Sequence, residues 1–122
     1  MAKTASDLYV ITLAKNLVDY IFSINENAPK KYRYSIVKMI DNECLDLIKK
    51  FYKANIYQVN NPKRREIQNE IIASLNSIDF IFYMGVKRQC YNSHQYQVLS
   101  KKLHDCLFYL NRWIMSDANR IK

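Results

Sequence analysis

The side chains with the widest chemical range in this 122-residue chain are two His, three Cys and the 11 carboxylates of Asp and Glu. Cys90 and His94 stand four apart, a ligand spacing on a continuous helix. They straddle a break in the helical pattern, however, and no second pair completes a site. His104 and Cys106 are two apart, which puts them on different faces of a helix. Both pairs read as ordinary buried or half-buried side chains. No Glu-x-x-His occurs, so a carboxylate-bridged metal bundle lacks its ligands. The acids fall mostly near cations, as on solvated faces, and no pair of them lies on an apolar stripe. Arg88 and His94 flank the same break with five residues between them. These are residue types that can carry charge-stabilising and acid–base chemistry. The plainer reading makes Arg88 a basic helix C-terminus, favourable to the helix dipole, and His94 a first-turn residue.

Cations are the larger signal. Lys and Arg number 19, giving a formal net charge of +8 and a pI near 9.4. The chain is rich in Asn, Ile, Lys and Tyr, a bias that AT-rich genomes produce without functional demand, so position says more than number. Lys30, Lys31, Arg33, Lys87 and Arg88 gather at the first and third breaks in the helical pattern. Lys49, Lys50, Lys53, Lys63, Arg64, Arg65 and Arg112, with Lys3 and Arg120, gather near the second break and the two termini. Lys63-Arg64-Arg65 carries the most weight. Three cations in a first helical turn oppose the dipole at roughly 0.3–1 kcal/mol each, only partly offset by Glu66 and Glu70. One reading is a site for phosphate or an acidic partner; the other is a solvated face under compositional bias. Tyr32 and Tyr34 flank Arg33, Tyr52 and Tyr57 lie near the second basic group, and Tyr83 follows Phe82. Aromatics among cations can stack bases and are also enriched at protein interfaces.

Helices must position these groups. One Gly in the whole chain leaves too few positive-φ positions for a hairpin-rich sheet and excludes every Gly-rich phosphate loop. The first helix opens at Ser6, with Asp7 in its first turn, and carries Leu8, Ile11, Ala14, Leu17, Val18, Ile21, Phe22 and Ile24 at helical spacing. It ends between Asn25 and Ala28, before Pro29. A second starts between Lys31 and Ser35, with the stripe Ile36, Met39, Ile40, Cys44, Leu47, Ile48, Phe51 and Ala54. Asn61-Pro62 reads as N-cap and first helical residue of a third. Its stripe is Ile67, Ile71, Leu75, Ile78, Phe82 and Val86, and it stops around Cys90 to Asn92. Ser93 is the expected N-cap of the fourth, which carries Tyr96, Leu99, Leu103, Cys106, Leu107, Leu110, Trp113 and Ile114 before residues 116–122 fray.

Long amphipathic helices joined by short breaks predict an all-α, antiparallel up-down-up-down four-helix bundle, one domain spanning residues 1–122. Ile72, Ile81 and Tyr83 widen the apolar face of the third helix. That width reads either as one broad core face or as two faces, one turned to another subunit. Gly85 inside that helix costs about 1 kcal/mol against Ala, which the close approach of a neighbouring helix would explain. No stretch has the ~20 unbroken apolar residues of a membrane span, and three scattered Cys suit a reducing cytoplasm, so a cytoplasmic protein is expected.

Arg88-x5-His94 before the last helix of a small bundle resembles the active motif of HEPN-type ribonucleases, with Gln89 as the polar residue after the Arg. A broader resemblance covers about Ser6 to Ile114. The segment from Pro29 through Lys30, Lys31, Tyr32, Arg33, Tyr34 and Ser35 to Ile36 carries it, as do Ile40-Asp41-Asn42-Glu43-Cys44-Leu45-Asp46-Leu47-Ile48, Lys63-Arg64-Arg65, and Tyr96 to Leu110 followed by Arg112-Trp113-Ile114. In these the chain resembles the four-helix-bundle family of the accessory variability determinant of diversity-generating retroelements. Proteins encoded in the intervening sequences of bacterial ribosomal RNA genes are related members.

The resemblance implies a homopentameric, ring-like assembly of bundles with a basic surface. It implies binding to RNA or DNA and to the retroelement reverse transcriptase, in support of mutagenic copying of a template RNA into cDNA, without enzymatic activity of its own. On that reading Lys30, Lys31, Arg33, Lys63, Arg64, Arg65, Lys87 and Arg88 contact phosphates or acidic protein, and no metal or cofactor is required. Five copies would multiply the +8, and a polyanion would relieve the resulting self-repulsion. A bundle of the same fold with an unrelated role, or a small ribonuclease using Arg88 and His94, are the alternatives.

Overall fold

Four stretches with apolar residues at helical spacing become four helices in the computed structural model, which describes residues 5–121, with side chains from residue 9 to residue 120. They are α1 (Ala5–Asn25), α2 (Ile36–Ile56), α3 (Pro62–Lys87) and α4 (Ser93–Ile121), with a short 3-10 helix at Lys30–Tyr32 between the first two. The described residues contain no strand. The expected roles of Ser6, Asp7 and Lys3 fall outside the described side chains.

Each helix contributes one stripe to a single core. The fully buried rows run Ala14, Leu17 and Ile21 in α1; Ile40, Cys44, Leu47 and Phe51 in α2; Ile71, Ile78 and Phe82 in α3; Leu99, Cys106, Leu110 and Trp113 in α4. Phe51 and Trp113 stack with ring centroids 6.2 Å apart. Val10 and Val37 join this core although neither was expected in a stripe, and Met39, expected inside, is 53% exposed. Val37 falls in line with Ile40, Cys44 and Leu47 on the inward face of α2, and Met39 lies off that face. α1 packs on α2 and α4, and α3 packs on α2 and α4.

Contacts between helix ends fix how the breaks meet. Tyr9 near the start of α1 meets Tyr109 late in α4, edge to face at 4.6 Å. Tyr20 late in α1 donates to the Gln95 carbonyl at the start of α4. Arg64 at the start of α3 pairs with Asp117 near the end of α4, and Tyr96 at the start of α4 donates to Asp79 late in α3.

Helix termini follow their capping chemistry. Asn61 Oδ1 accepts from the Lys63 amide with Pro62 at the first helical position, as expected. Two other boundaries differ from expectation. α3 stops at Lys87, not at residues 90–92, because Gln89 takes φ 64° and closes a Schellman motif. In it the Gln89 amide donates to the Val86 carbonyl (3.0 Å) and the Cys90 amide to the Gly85 carbonyl (2.8 Å). The cap of α4 is Asn92, not Ser93. Asn92 Oδ1 accepts from the Gln95 amide (2.8 Å) while Gln95 Oε1 accepts from the Asn92 amide (2.9 Å), a reciprocal capping box.

Two further expectations are corrected. Gly85 does not make room for a neighbouring helix. A Cβ there would lie 2.5 Å from Cδ2 of Tyr91, in the turn after α3, and only 3.4 Å from Ile36 Cγ2. The tail from residue 116 does not fray: α4 runs to Ile121 and Asp117 is buried.

Candidate nucleic-acid interface

The first and third breaks form one surface because their hydrogen bonds join them. Pro29 sits in extended backbone (φ −55°, ψ 135°) and leads into the 3-10 turn, where it offers no amide to extend α1. That turn aims the Tyr32 hydroxyl at the Arg88 carbonyl, to which it donates at 2.6 Å. This carbonyl belongs to the last turn region of α3, where no intrahelical amide is available, so the tyrosine satisfies it. Below it, Tyr91 donates to Asn25 Oδ1 (2.6 Å) and Asn25 Nδ2 donates to Asp41 (2.8 Å). The Tyr91 ring lies flat on Phe82, centroids 3.9 Å apart, in the space that Gly85 leaves open. Burial pushes the Tyr91 hydroxyl above its ordinary pKa range, so it stays a donor in this chain of bonds.

Five of the eight expected site residues stand on this surface. Lys30, Lys31, Arg33, Lys87 and Arg88 are all exposed, and among the described residues none has a carboxylate within salt-bridge distance. The sequence explains why. No Asp or Glu lies between Glu26 and Asp41, and none between Asp79 and Asp105. The fold brings these two acid-free stretches together. Lys31 lies over the Tyr32 ring (5.1 Å) and Lys87 over Tyr83 (5.7 Å). Tyr34, beside Arg33, is 80% exposed, and its ring makes no hydrogen bond or aromatic contact with any described residue. Between the two breaks lies a cleft of about 480 Å³, lined by Asn27, Gln89, Asn92, Ser93 and Gln95 together with Pro29, Val86, Cys90 and Tyr91. Its polar groups are amides and a hydroxyl, not charges.

Lys63, Arg64 and Arg65 lie at the other end, and they separate. Lys63 and Arg65 are exposed; Arg64 is 1% exposed. Its Nε donates to Asp117 Oδ2 at 2.6 Å and its Nη2 to Oδ1 at 2.8 Å, while Nη1 donates to the Tyr57 carbonyl at 3.1 Å. Gln68 Nε2 also donates to Asp117 (2.9 Å), and the guanidinium lies 5.0 Å over the Trp113 ring. The phosphate contact expected of Arg64 is therefore corrected to an internal role: burial and a two-pronged carboxylate partner withdraw it from any ligand. The same pairing removes the puzzle of three cations in one first turn, since only two face solvent. Glu66 and Glu70 stand on the exposed side of the same helical turns, so this end interleaves signs more closely than the other, where exposed Glu26 precedes the cationic stretch.

Arg88 and His94 do not meet in any cleft among the described residues. Arg88 Nη1 points back along α3 to the Met84 carbonyl (3.4 Å), His94 is exposed in the first turn of α4, and neither lines the cavity between the breaks. Among the described residues no group of three or more His, Cys, Asp or Glu is placed to hold a metal ion. All three Cys are buried free thiols, and no described helix is long and apolar enough to cross a membrane.

The amide lining of the cleft was missed from sequence. Its signal was the run of Asn and Gln in both breaks, which reads equally as loop composition. Asp117, a step of four beyond Trp113, continues the α4 stripe into the stretch expected to fray, and no apolar residue marks it as buried. Compared with models of known families and with curated proteins, the chain matches none.

Proposed function

We propose that this protein is a nucleic-acid-binding accessory protein of a diversity-generating retroelement, working without catalysis of its own. In this reading the four helices run antiparallel, up-down-up-down, and five copies form a basic ring that holds template RNA or cDNA and engages the reverse transcriptase in the cytoplasm. The observation that supports it best is the junction at one end of two acid-free, cation-bearing stretches, residues 27–40 and 80–104, tied by the Tyr32–Arg88 hydrogen bond. Lys30, Lys31, Arg33, Lys87 and Arg88 are its phosphate contacts, with Lys63 and Arg65 secondary at the opposite end. The self-association rests on apolar groups left outside the core. Ile72 and Ile81 pack against the core, whereas Phe80 (63%) and Tyr83 (44%) on α3 and Leu45 (52%) and Ile56 (78%) on α2 remain exposed. Such groups on a small domain suit a subunit interface.

Two measurements test this. Binding to RNA and DNA, followed by fluorescence anisotropy across a salt series, is expected to weaken linearly in log–log form, and Arg33→Ala or Lys87→Ala to flatten the slope by about one. Light scattering at moderate salt is expected to give a mass near five chains. Absence of salt-dependent binding at low ionic strength overturns the nucleic-acid role. A monomer or dimer removes the ring. Binding and assembly intact with no capture of a reverse transcriptase would leave a bundle of the same fold serving another nucleic-acid function.

A further inference from the structure

The chemistry of the first-and-third-break surface comes in two layers. Its rim is cationic: Lys30, Lys31, Arg33, Lys87 and Arg88, with no carboxylate paired to any of them among the described residues. Its cleft is neutral and rich in amides. Asn92 and Gln95 each spend their side-chain oxygen on the capping box, which leaves both NH2 groups as donors. Asn27 and Gln89 add an amide each and Ser93 a hydroxyl. Tyr34 then follows Pro29 in the same break, 80% exposed beside Arg33, with a ring face that no described residue covers.

An acidic polypeptide would fit the rim but not the cleft, where it would meet no cation. A duplex would also fit the rim and could offer groove edges to the amides, yet it keeps its base faces stacked, so the Tyr34 ring would have no partner. An unpaired strand satisfies both layers: phosphates on the rim, a base face on an aromatic ring, base edges on amides. From this, and resting on the nucleic-acid role proposed above, we infer that this end of the bundle is a single-strand site. One base stacks on Tyr34, and a neighbouring base enters the cleft lined by Asn27, Gln89, Asn92 and Gln95.

The test uses the full chain and three fluorescein-labelled probes of one mixed sequence: the single-stranded RNA, the same strand as DNA, and the RNA annealed to its complement. Poly-glutamate serves as an unlabelled competitor. Both single strands are expected to bind more tightly than the duplex. Tyr34→Ala is expected to lose about tenfold on the single strands, within the range that removal of one stacked base produces, and to leave duplex binding unchanged. Tyr34→Phe keeps the ring face and is expected to match wild type. Because Tyr34 is exposed, an unchanged thermal melt shows that the variants remain folded. Duplex bound as tightly as single strands, or Tyr34→Ala without effect on them, overturns the single-strand site while leaving the basic surface in place. Poly-glutamate displacing the strands at equal charge concentration overturns it in favour of an acidic protein partner. No salt-dependent binding to any probe overturns it together with the nucleic-acid role on which it rests.

Discussion

Gln89 carries a backbone that its side chain disfavours. Its φ of 64° is the left-handed region, where a Cβ crowds the following carbonyl at roughly 1–2 kcal/mol. Glycine, the usual occupant of this Schellman position, stands instead at residue 85, where the Tyr91 ring excludes any side chain. The two positions therefore predict opposite outcomes. Gln89→Gly is expected to raise the melting temperature, by relief of about 1 kcal/mol. Gly85→Ala is expected to lower it, at a cost of about 1–3 kcal/mol for overpacking, because the Tyr91 ring is held between Phe82 and its bond to Asn25. Thermal unfolding of both variants checks the signs. If Gln89 also lends its amide to a bound base, Gln89→Gly will be more stable yet weaker in binding.

At the scale of the elements, the Arg64–Asp117 pair joins the start of α3 to the last turns of α4. Burying both ions is expensive, and the two-pronged geometry, Gln68 and the Tyr57 carbonyl offset that cost. Removal of one partner strands the other. Asp117→Ala is expected to destabilise by about 3–5 kcal/mol, and Arg64→Met with Asp117→Leu together by much less than the two single changes summed. A double-mutant cycle in denaturant gives that difference. The helices themselves were legible in the sequence because apolar steps of three and four recur along each, although the first turn of α2 was phased on Met39 where Val37 is the buried residue. Asn61-Pro62 was equally plain, since a cap and a first-position Pro name the same boundary. The end of α3 was not legible. Gln at a left-handed position carries no composition signal, and Ser93, the expected cap, is a cap residue by type; the reciprocal bonds with Gln95 fall to Asn92 instead. The internal role of Arg64 was hidden for a different reason. A cation within a basic run announces a solvated face, and only its register opposite Asp117 turns it inward.

For the whole molecule, the buried thiols report on closure of the core. Burial pushes Cys44 and Cys106, on two different helices, up to about 12 from an ordinary value of 9.0. Their protons are held more tightly folded than unfolded, so their contribution to stability is complete below about pH 9 and is lost as pH rises through about 12. The folded protein is expected to resist alkylation at both positions near pH 8, and denaturant to expose both in one step. Mass spectrometry of iodoacetamide-treated protein across a denaturant series checks this; modification of one thiol well before the other would mean that its helix opens alone. The Arg64–Asp117 bond also has a consequence for synthesis. Its partners lie 53 residues apart, and at about 5–20 residues per second on the ribosome Arg64 waits roughly 3–10 s for its carboxylate. During that interval Lys63, Arg64 and Arg65 form an unbroken basic run beside ribosomal RNA. Emergence of Asp117 then converts one of those three cations from a surface charge into part of the interior, so the finished chain presents two of them to RNA where the growing chain presents three.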